Sequence, residues 1–425
     1  MEISDAAKQK DQLKFATLKL LGYCKQNNWA GFDPYDALNS KIFKALPFLN
    51  FRVPRLVLTQ TLKRSPINLR HLLLVPKEQN PKAIGLFLSA LVKLSAIGLV
   101  NQTEIDQMIA RLAALRSPGH SHWCWGYNFP WQMRDEIVPA GAPNLVSTTF
   151  AGNSLLDAYD QRQDSNCLSM AVSAAEYVLN ELYWTQDGVA AGFRYPLPTK
   201  AFEVPVHNAN FLGGAFLCRV FKRTGERRFL DPALRVTRYS ASMQRADGAW
   251  DYGEGSTQRW IDNFHTGYNL CALQEIGRYA ETREFDACIE HGFQFYRNNF
   301  FREDGAPKYF HNRTFPIDIH SVAQSIITLL AFRDLDPDNL AQANKVLSWA
   351  MNHMWDDRGF FYYRVLRSCT IRTSYMRWSQ AWMLLAMSEF LCESPDGSIR
   401  PQNQDSLPAY TQADFRYQNI SATKS

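Results

Sequence analysis

Two kinds of apolar segment alternate along this chain. One kind carries small and apolar residues on nearly every side, as in "PVHNANFLGGAFLCRVF", "IDNFHTGYNLCALQEIG", "IDIHSVAQSIITLLAF" and "RWSQAWMLLAMSEFL". A helix packed on both flanks reads that way. The other kind spaces its apolar residues at i, i+3 and i+4 with polar faces between, over roughly 6–27, 102–116, 166–183, 230–243, 284–299 and 338–354. The pattern predicts outer amphipathic helices wrapped around inner ones.

The alternation repeats about every 57 residues. Turn loops of one type sit at Asp187, Asp247, Asp304 and Asp357, at steps of 60, 57 and 53. Asp-Gly offers a side-chain acceptor and a positive φ there. His207, His265, His320 and Trp378 take matching places near the inner segments' starts, at steps of 58, 55 and 58. Earlier members of the series fall at Thr149 and in the apolar run from Ile84 to Ile97. Six outer–inner hairpins closing on themselves predict an all-α fold, an (α/α)6 toroid, as a single unit over 1–395 with a polar tail at 396–425. Inner-to-outer links are short. Outer-to-inner links (28–81, 117–144, 184–205, 244–262, 300–317, 355–375) are long and hold most of the Trp, Tyr and His residues. They all fall on one face, where the inner helices begin.

Charge and cysteine usage narrow the function. A net charge of +5 is too mild for nucleic acid but compatible with an anionic ligand. The eight cysteines are scattered without zinc-type spacing, which fits free thiols in a reducing compartment. "MEISDAAKQKDQ" has no signal-peptide pattern. The run at 83–100 has nearly the length of a membrane span, but Lys93 and two serines interrupt it and the repeat assigns it to an inner helix. These observations predict a cytoplasmic protein. No metal is expected, since the histidines stand a repeat apart, and no nucleotide cofactor, since no phosphate-binding glycine motif occurs.

The long links bring aromatic and planar polar side chains to one mouth, the chemical profile of a sugar site. Asp33, Tyr35, Trp125, Tyr127, His207, Trp250, Trp260, Asn263, Tyr268, Tyr363, Arg377 and Trp378 are the expected substrate-binding residues. Two chemistries compete. Asp262 and Asp318, at matching places in adjacent repeats, could form a glycosidase pair, which needs carboxyls about 5–5.5 or 6.5–9.5 Å apart. An Asp just before a helix is, however, more often an N-cap. Alternatively His265 or His320, with Tyr252, Tyr268 and Tyr363, could abstract the C5 proton of a uronic acid while Asn263 or Arg377 holds its carboxylate. Arg259, Arg313, Arg364, Arg372 and Arg377 would suit an acidic glycan.

From Ala37 to Lys77 there is no acidic residue, while Lys41, Lys44, Arg52, Arg55, Lys63, Arg64, Arg70 and Lys77 are basic. This stretch (37–80) reads first as an elaborated loop over the toroid's mouth, and second as a segment lying on an anionic membrane.

"GFDPYDALNS", "CWGYNFPWQ", "RWIDNFHTGYNL", "FPIDIHSVAQSIITL", "DDRGFFYYR" and "YMRWSQAWMLLAMSEF" together resemble a bacterial family of exopolysaccharide and capsule gene clusters, the VpsJ-like family. The resemblance runs from about residue 20 to 392 and implies a six-hairpin glycosidase-like toroid connected with polysaccharide production. The expected partner is a polysaccharide or oligosaccharide, acidic in one reading, which the protein hydrolyses, cleaves or epimerises. A non-catalytic glycan-binding component of a synthesis complex at the inner face of the membrane is the rival. "QRADGAW" is also similar to a turn of terpenoid cyclases, but the acidic clusters those enzymes need do not occur.

Overall fold

The computed structural model describes residues 2–133, 136–195 and 204–393. The polar tail at 396–425 and Arg134 of the second long link lie outside the described residues. The α-helices are α1 (Glu2–Gln26), α2 (Lys41–Lys44), α3 (Arg52–Arg64), α4 (Pro81–Ala96), α5 (Gln102–Ala114), α6 (Leu145–Arg162), α7 (Ser165–Tyr177), α8 (His207–Thr224), α9 (Arg227–Ser242), α10 (Asn263–Ala280), α11 (Asp286–Asn299), α12 (Ile319–Ala331), α13 (Asp338–Met354) and α14 (Trp382–Cys392). A π-helical turn, Met376–Ala381, leads into α14.

Twelve of these helices form the (α/α)6 toroid. α4, α6, α8, α10, α12 and α14 make an inner ring in which each packs on the next and α14 closes onto α4. α1, α5, α7, α9, α11 and α13 lie outside. Side-chain caps start four inner helices: Asn80, Asn144, Asp262 and Asp318 each accept a backbone N–H of the first turn. Small residues set the spacing between neighbours. A Cβ on Gly267 would lie 2.7 Å from Gln324 and Thr328, so α10 approaches α12 closely there. Fully buried Phe87, Phe211 and Phe216 pack in the core, Phe216 of α8 against Gly152 of α6, each worth about 1.5–3 kcal/mol.

The long links add only short strands: β1 (Trp131–Gln132), β2 (Ile137–Val138), β3 (Tyr183–Gln186), β4 (Ala190–Phe193), β5 (Ile317–Asp318), β6 (Trp355–Asp356), β7 (Phe360–Phe361), β8 (Arg364–Val365) and β9 (Thr370–Ile371). β3–β4 and β6–β7 are hairpins across the repeated turns, and β5–β8–β9 joins two successive links. In the fourth turn the register differs by one from the sequence expectation. Asp356, not Asp357, accepts the turn's backbone N–H from Arg358, and Gly359 takes the positive φ.

Three of the turns lean on the outer helix that follows them in the ring. A Cβ on Gly248 would meet the His291 carbonyl of α11 at 2.3 Å, one on Gly305 would meet Lys345 of α13, and one on Gly359 would meet Lys19 of α1. The last of these closes the circle. Gly225, the left-handed cap of α8, has open space around it. Gly225→Ala should therefore cost only the left-handed strain, about 1–2 kcal/mol. Gly248→Ala adds a backbone clash at φ 88° and should lose clearly more stability in denaturant unfolding.

Candidate active site

At four of the inner-helix starts the second residues, Lys82, Phe264, His320 and Arg377, belong to one cluster. Direction around a helix changes by about 100° per residue, so only residues in the same place of the first turn converge. The Phe264 and His320 rings lie 4.5 Å apart, and the charges that bear on His320 are those of Lys82, Arg377 and His265. One turn deeper, Phe150, Tyr268 and Trp382 form a floor, with the Lys82 ammonium 4.2, 5.6 and 5.2 Å from their ring centroids.

Lys82 is the main residue that the sequence reading missed. It is buried, and its ammonium has no hydrogen-bonding partner among the described residues. Burial, with Arg377 nearby, pushes its pKa well below the ordinary lysine range. The signal was local: Asn80 caps, Pro81 takes the first helical position, and Lys82 therefore stands where His320 and Arg377 stand in their helices.

Asp262 and His265 form a dyad at the mouth. Both carboxylate oxygens lie 2.9–3.0 Å from Nδ1 of His265, and one also caps the helix through the His265 N–H. A carboxylate can only accept, so Nδ1 carries a proton, and Nε2 is the ring nitrogen left without a partner among the described residues. The His265 side chain is 19% exposed, whereas that of Asp262 is fully buried. Tyr252 stacks on Trp260 at 4.1 Å, and both rings flank His265. Burial, and then the charge of Asp262, raises the Tyr252 phenol above its usual range.

His320 differs in kind. It is sealed among Phe264, Trp378 and Trp382, and burial followed by the Lys82 and Arg377 charges lowers its pKa well below the usual value. Its Nε2 bonds the Tyr268 hydroxyl, while Nδ1 has no partner among the described residues. Burial raises the Tyr268 phenol, so it stays protonated beside Nε2.

Asp318 is not free to act as acid or base. One oxygen accepts the His320 N–H at 2.9 Å and the Trp378 indole N–H at 2.8 Å, and the other accepts Nε and Nη2 of Arg364 at 2.8 and 2.6 Å. The expected pair of Asp262 and Asp318 is therefore spent, one carboxylate on its histidine and the other on holding the wall. Arg377 is held by Asp33 through two bonds of 2.6 and 2.8 Å, over the Tyr127 ring at 4.9 Å, which leaves Nη1 uncommitted.

Several other expected site residues face elsewhere. His207, Asn263 and Ile319 open their helices, whereas His265 and His320 stand third and second in theirs, so the three histidines do not share a direction. His207 points to α9 and bonds Ser240 at 3.2 Å, and burial lowers its pKa to about 4. Asn263 accepts from Tyr296 and Ser325 through Oδ1, while its Nδ2 has no partner among the described residues. Trp125 and Trp250 are core residues whose indole N–H groups donate to the carbonyls of Leu112 and Ser240. Tyr363 is fully buried beneath Arg364. Tyr35 remains half-buried near Trp378, with the Lys63 ammonium donating to its hydroxyl at 2.6 Å, and Tyr309 joins it beside Phe264 and Arg364. Among the described residues no three potential metal ligands converge.

A cavity of about 2230 Å³ opens at the opposite end, where the inner helices finish, and reaches the outer side of the Phe150–Tyr268–Trp382 floor. Its charged groups largely satisfy one another, Arg219 with Asp157 and Asp160, and Lys93 with Glu389. The uncommitted donors and the oriented histidine are on the loop side, which makes that side the candidate site.

Neither a protein-family model nor a curated protein matches the chain. Solved structures do. A GH76 α-mannanase from Bacteroides thetaiotaomicron superposes with a TM-score of 0.57 at 12% identity, covering 73% of this chain and 86% of that one. The cellobiose 2-epimerase from Bacillus thermoamylovorans gives 0.57 at 11%, covering 74% and 87%. An unsaturated glucuronyl hydrolase specific for heparin gives 0.56 at 13%, covering 74% and 87%. At these identities the likeness is one of fold.

Asp318→Ala should leave Arg364 buried without its partner and destabilise the protein by about 3–5 kcal/mol in denaturant unfolding. His207 gives a pH signature. The unfolded chain takes up a proton near pH 6.5, but the folded one only near pH 4, so this group's contribution to stability falls as pH drops through that window. His207→Gln should make the decline of melting temperature from pH 6.5 to 4 shallower.

Proposed function

We propose that the protein is a carbohydrate-active enzyme of bacterial polysaccharide biosynthesis or modification, working by proton abstraction with His265 as the base. The observation that carries this reading is the Asp262–His265 dyad, whose free Nε2 stands at the mouth of a centre with a surplus of N–H donors. Lys82 Nζ and Arg377 Nη1 have no acceptor among the described residues. They suit the oxygens of a carboxylate or an enediolate.

In this mechanism Nε2 of His265 takes the proton from a sugar carbon next to a carbonyl or carboxylate. The electron pair passes onto the carbonyl oxygen, where the donors hold the developing charge. Asp262 keeps the imidazole in its tautomer and stabilises the imidazolium. Return of a proton from water to the other face inverts the carbon, and the imidazolium gives its own proton to solvent. Elimination of the substituent on the next carbon, which the imidazolium protonates as it leaves, instead forms a double bond. The aromatic rings of Tyr35, Tyr127, Tyr252 and Trp260 stack on the sugar. Hydrolysis is the weaker reading because Asp262 and Asp318 are committed to other groups. The resemblance to the exopolysaccharide and capsule family supports a role in polysaccharide production, and the likeness of fold to sugar epimerases and hydrolases supports the substrate class.

Incubation with acidic and neutral bacterial oligosaccharides in deuterated water tests this. Deuterium should enter the sugar at the carbon beside the carbonyl or carboxylate. His265→Ala should slow incorporation by roughly 10²–10⁴-fold with unchanged circular dichroism. New reducing ends without deuterium would replace this reading by hydrolysis, and tight binding without either change would replace it by a glycan-binding role.

A further inference from the structure

The excursion between Ala37 and Lys77 has a surface unlike the rest of the molecule. Among the described residues, eight of the fourteen exposed large apolar side chains lie between Ile42 and Leu74. Phe48, Phe51, Ile67 and Leu72 are 71%, 56%, 69% and 72% exposed. Val53 and Val57, one turn apart on α3, are exposed as well, while Thr59 and Leu62 turn inward. Exposed Lys41, Lys44, Arg52, Arg64 and Lys77 are interleaved with them. The stretch supplies eight of the 46 basic residues and none of the 41 acidic ones, so the remainder of the chain is slightly negative.

The excursion is nonetheless firmly built. Arg70 is buried and bonds Asp36, the Asp33 carbonyl and the Tyr375 hydroxyl, and Arg55 bonds Asn50 and Gln132. The outward apolar side chains are therefore displayed by a fixed scaffold. No helix among the described residues is long and apolar enough to cross a membrane.

We infer that this surface docks the protein peripherally on an anionic lipid bilayer. Apolar side chains among cations fit the boundary between acidic headgroups and acyl chains, with no carboxylate in the stretch itself and Glu78 at its end tied to Asn39 and Asn128. A protein partner that used the same cations would need a matching acidic patch with apolar gaps, whereas a bilayer presents both across any footprint. Asp33 and Tyr35 at the root of the excursion touch Arg377 and Trp378, so docking brings the sugar site close to the membrane surface.

Flotation of the full chain with vesicles is the test. Binding to phosphatidylcholine vesicles containing phosphatidylglycerol should be strong, binding to phosphatidylcholine alone weak, and added salt should reduce the first. Lys44→Glu with Arg52→Glu should weaken binding by roughly tenfold or more. Phe48→Ser with Phe51→Ser should do the same without changing the melting temperature, because both side chains are exposed. The inference fails if neither vesicle binds, or if both double variants bind like the parent. It also fails if the parent forms a dimer in solution that Phe48→Ser with Phe51→Ser breaks, since the surface would then join two copies. None of these outcomes depends on the His265 chemistry.

Discussion

A ring of hairpins has one seam, and the ion pair between Asp33 and Arg377 sews it. Asp33 lies in the first long link and Arg377 in the π-helical turn that opens the last inner helix. Their two bonds, with the backbone bridge from Phe32 to Tyr375 and the Arg70 bond to the Tyr375 hydroxyl, join the two ends of the fold. Both partners are nearly buried, so breaking one side would leave an uncompensated charge in the core. The same pair fixes Arg377 with one edge turned from Asp33 and its plane over Tyr127. Ring closure and the donor set of the site are thus one interaction.

The centre is organised by the same geometry. Four of the six helix starts bring the side chains in their second places together. Phe264 makes an apolar wall, and Lys82, His320 and Arg377 each hold a side-chain nitrogen with no partner among the described residues. Aromatic rings beneath Lys82 replace the carboxylate that a buried lysine ordinarily finds, and they leave its ammonium available. His265 stands one place later on its helix, which moves it from the sealed centre to the accessible mouth and gives it Asp262 as a partner.

The alternation of buried and amphipathic segments, and the lopsided links, carried the toroid in the sequence, because helix burial and loop length are written locally. Side-chain direction was harder to read. The histidine steps of 58 and 55 look periodic, yet His207 and Asn263 open α8 and α10, and Ile319 opens α12, at equal spacings of 56. A difference of one or two residues rotates a side chain away from its apparent equivalents, which is why His207 packs on α9. Lys82 is hard to read from the sequence because it borders an apolar run, 83–100, with nearly the length of a membrane span. Asp262 and Asp318 look alike in sequence, and only their partners, His265 for one and Arg364 with Trp378 for the other, separate the orienting carboxylate from the structural one.

The glycine turns that lean on the next outer helix have a consequence for how such a molecule can change over time. In an open stack of repeats, a unit can be gained or lost at an end. Here Gly248, Gly305 and Gly359 each seat one hairpin against its successor, and the last successor is α1. A duplicated or deleted hairpin would alter the angle at every junction at once and leave Asp33 and Arg377 out of reach. A link, by contrast, can lengthen without altering any junction, and the long excursion after α1 adds surface there without disturbing the circle.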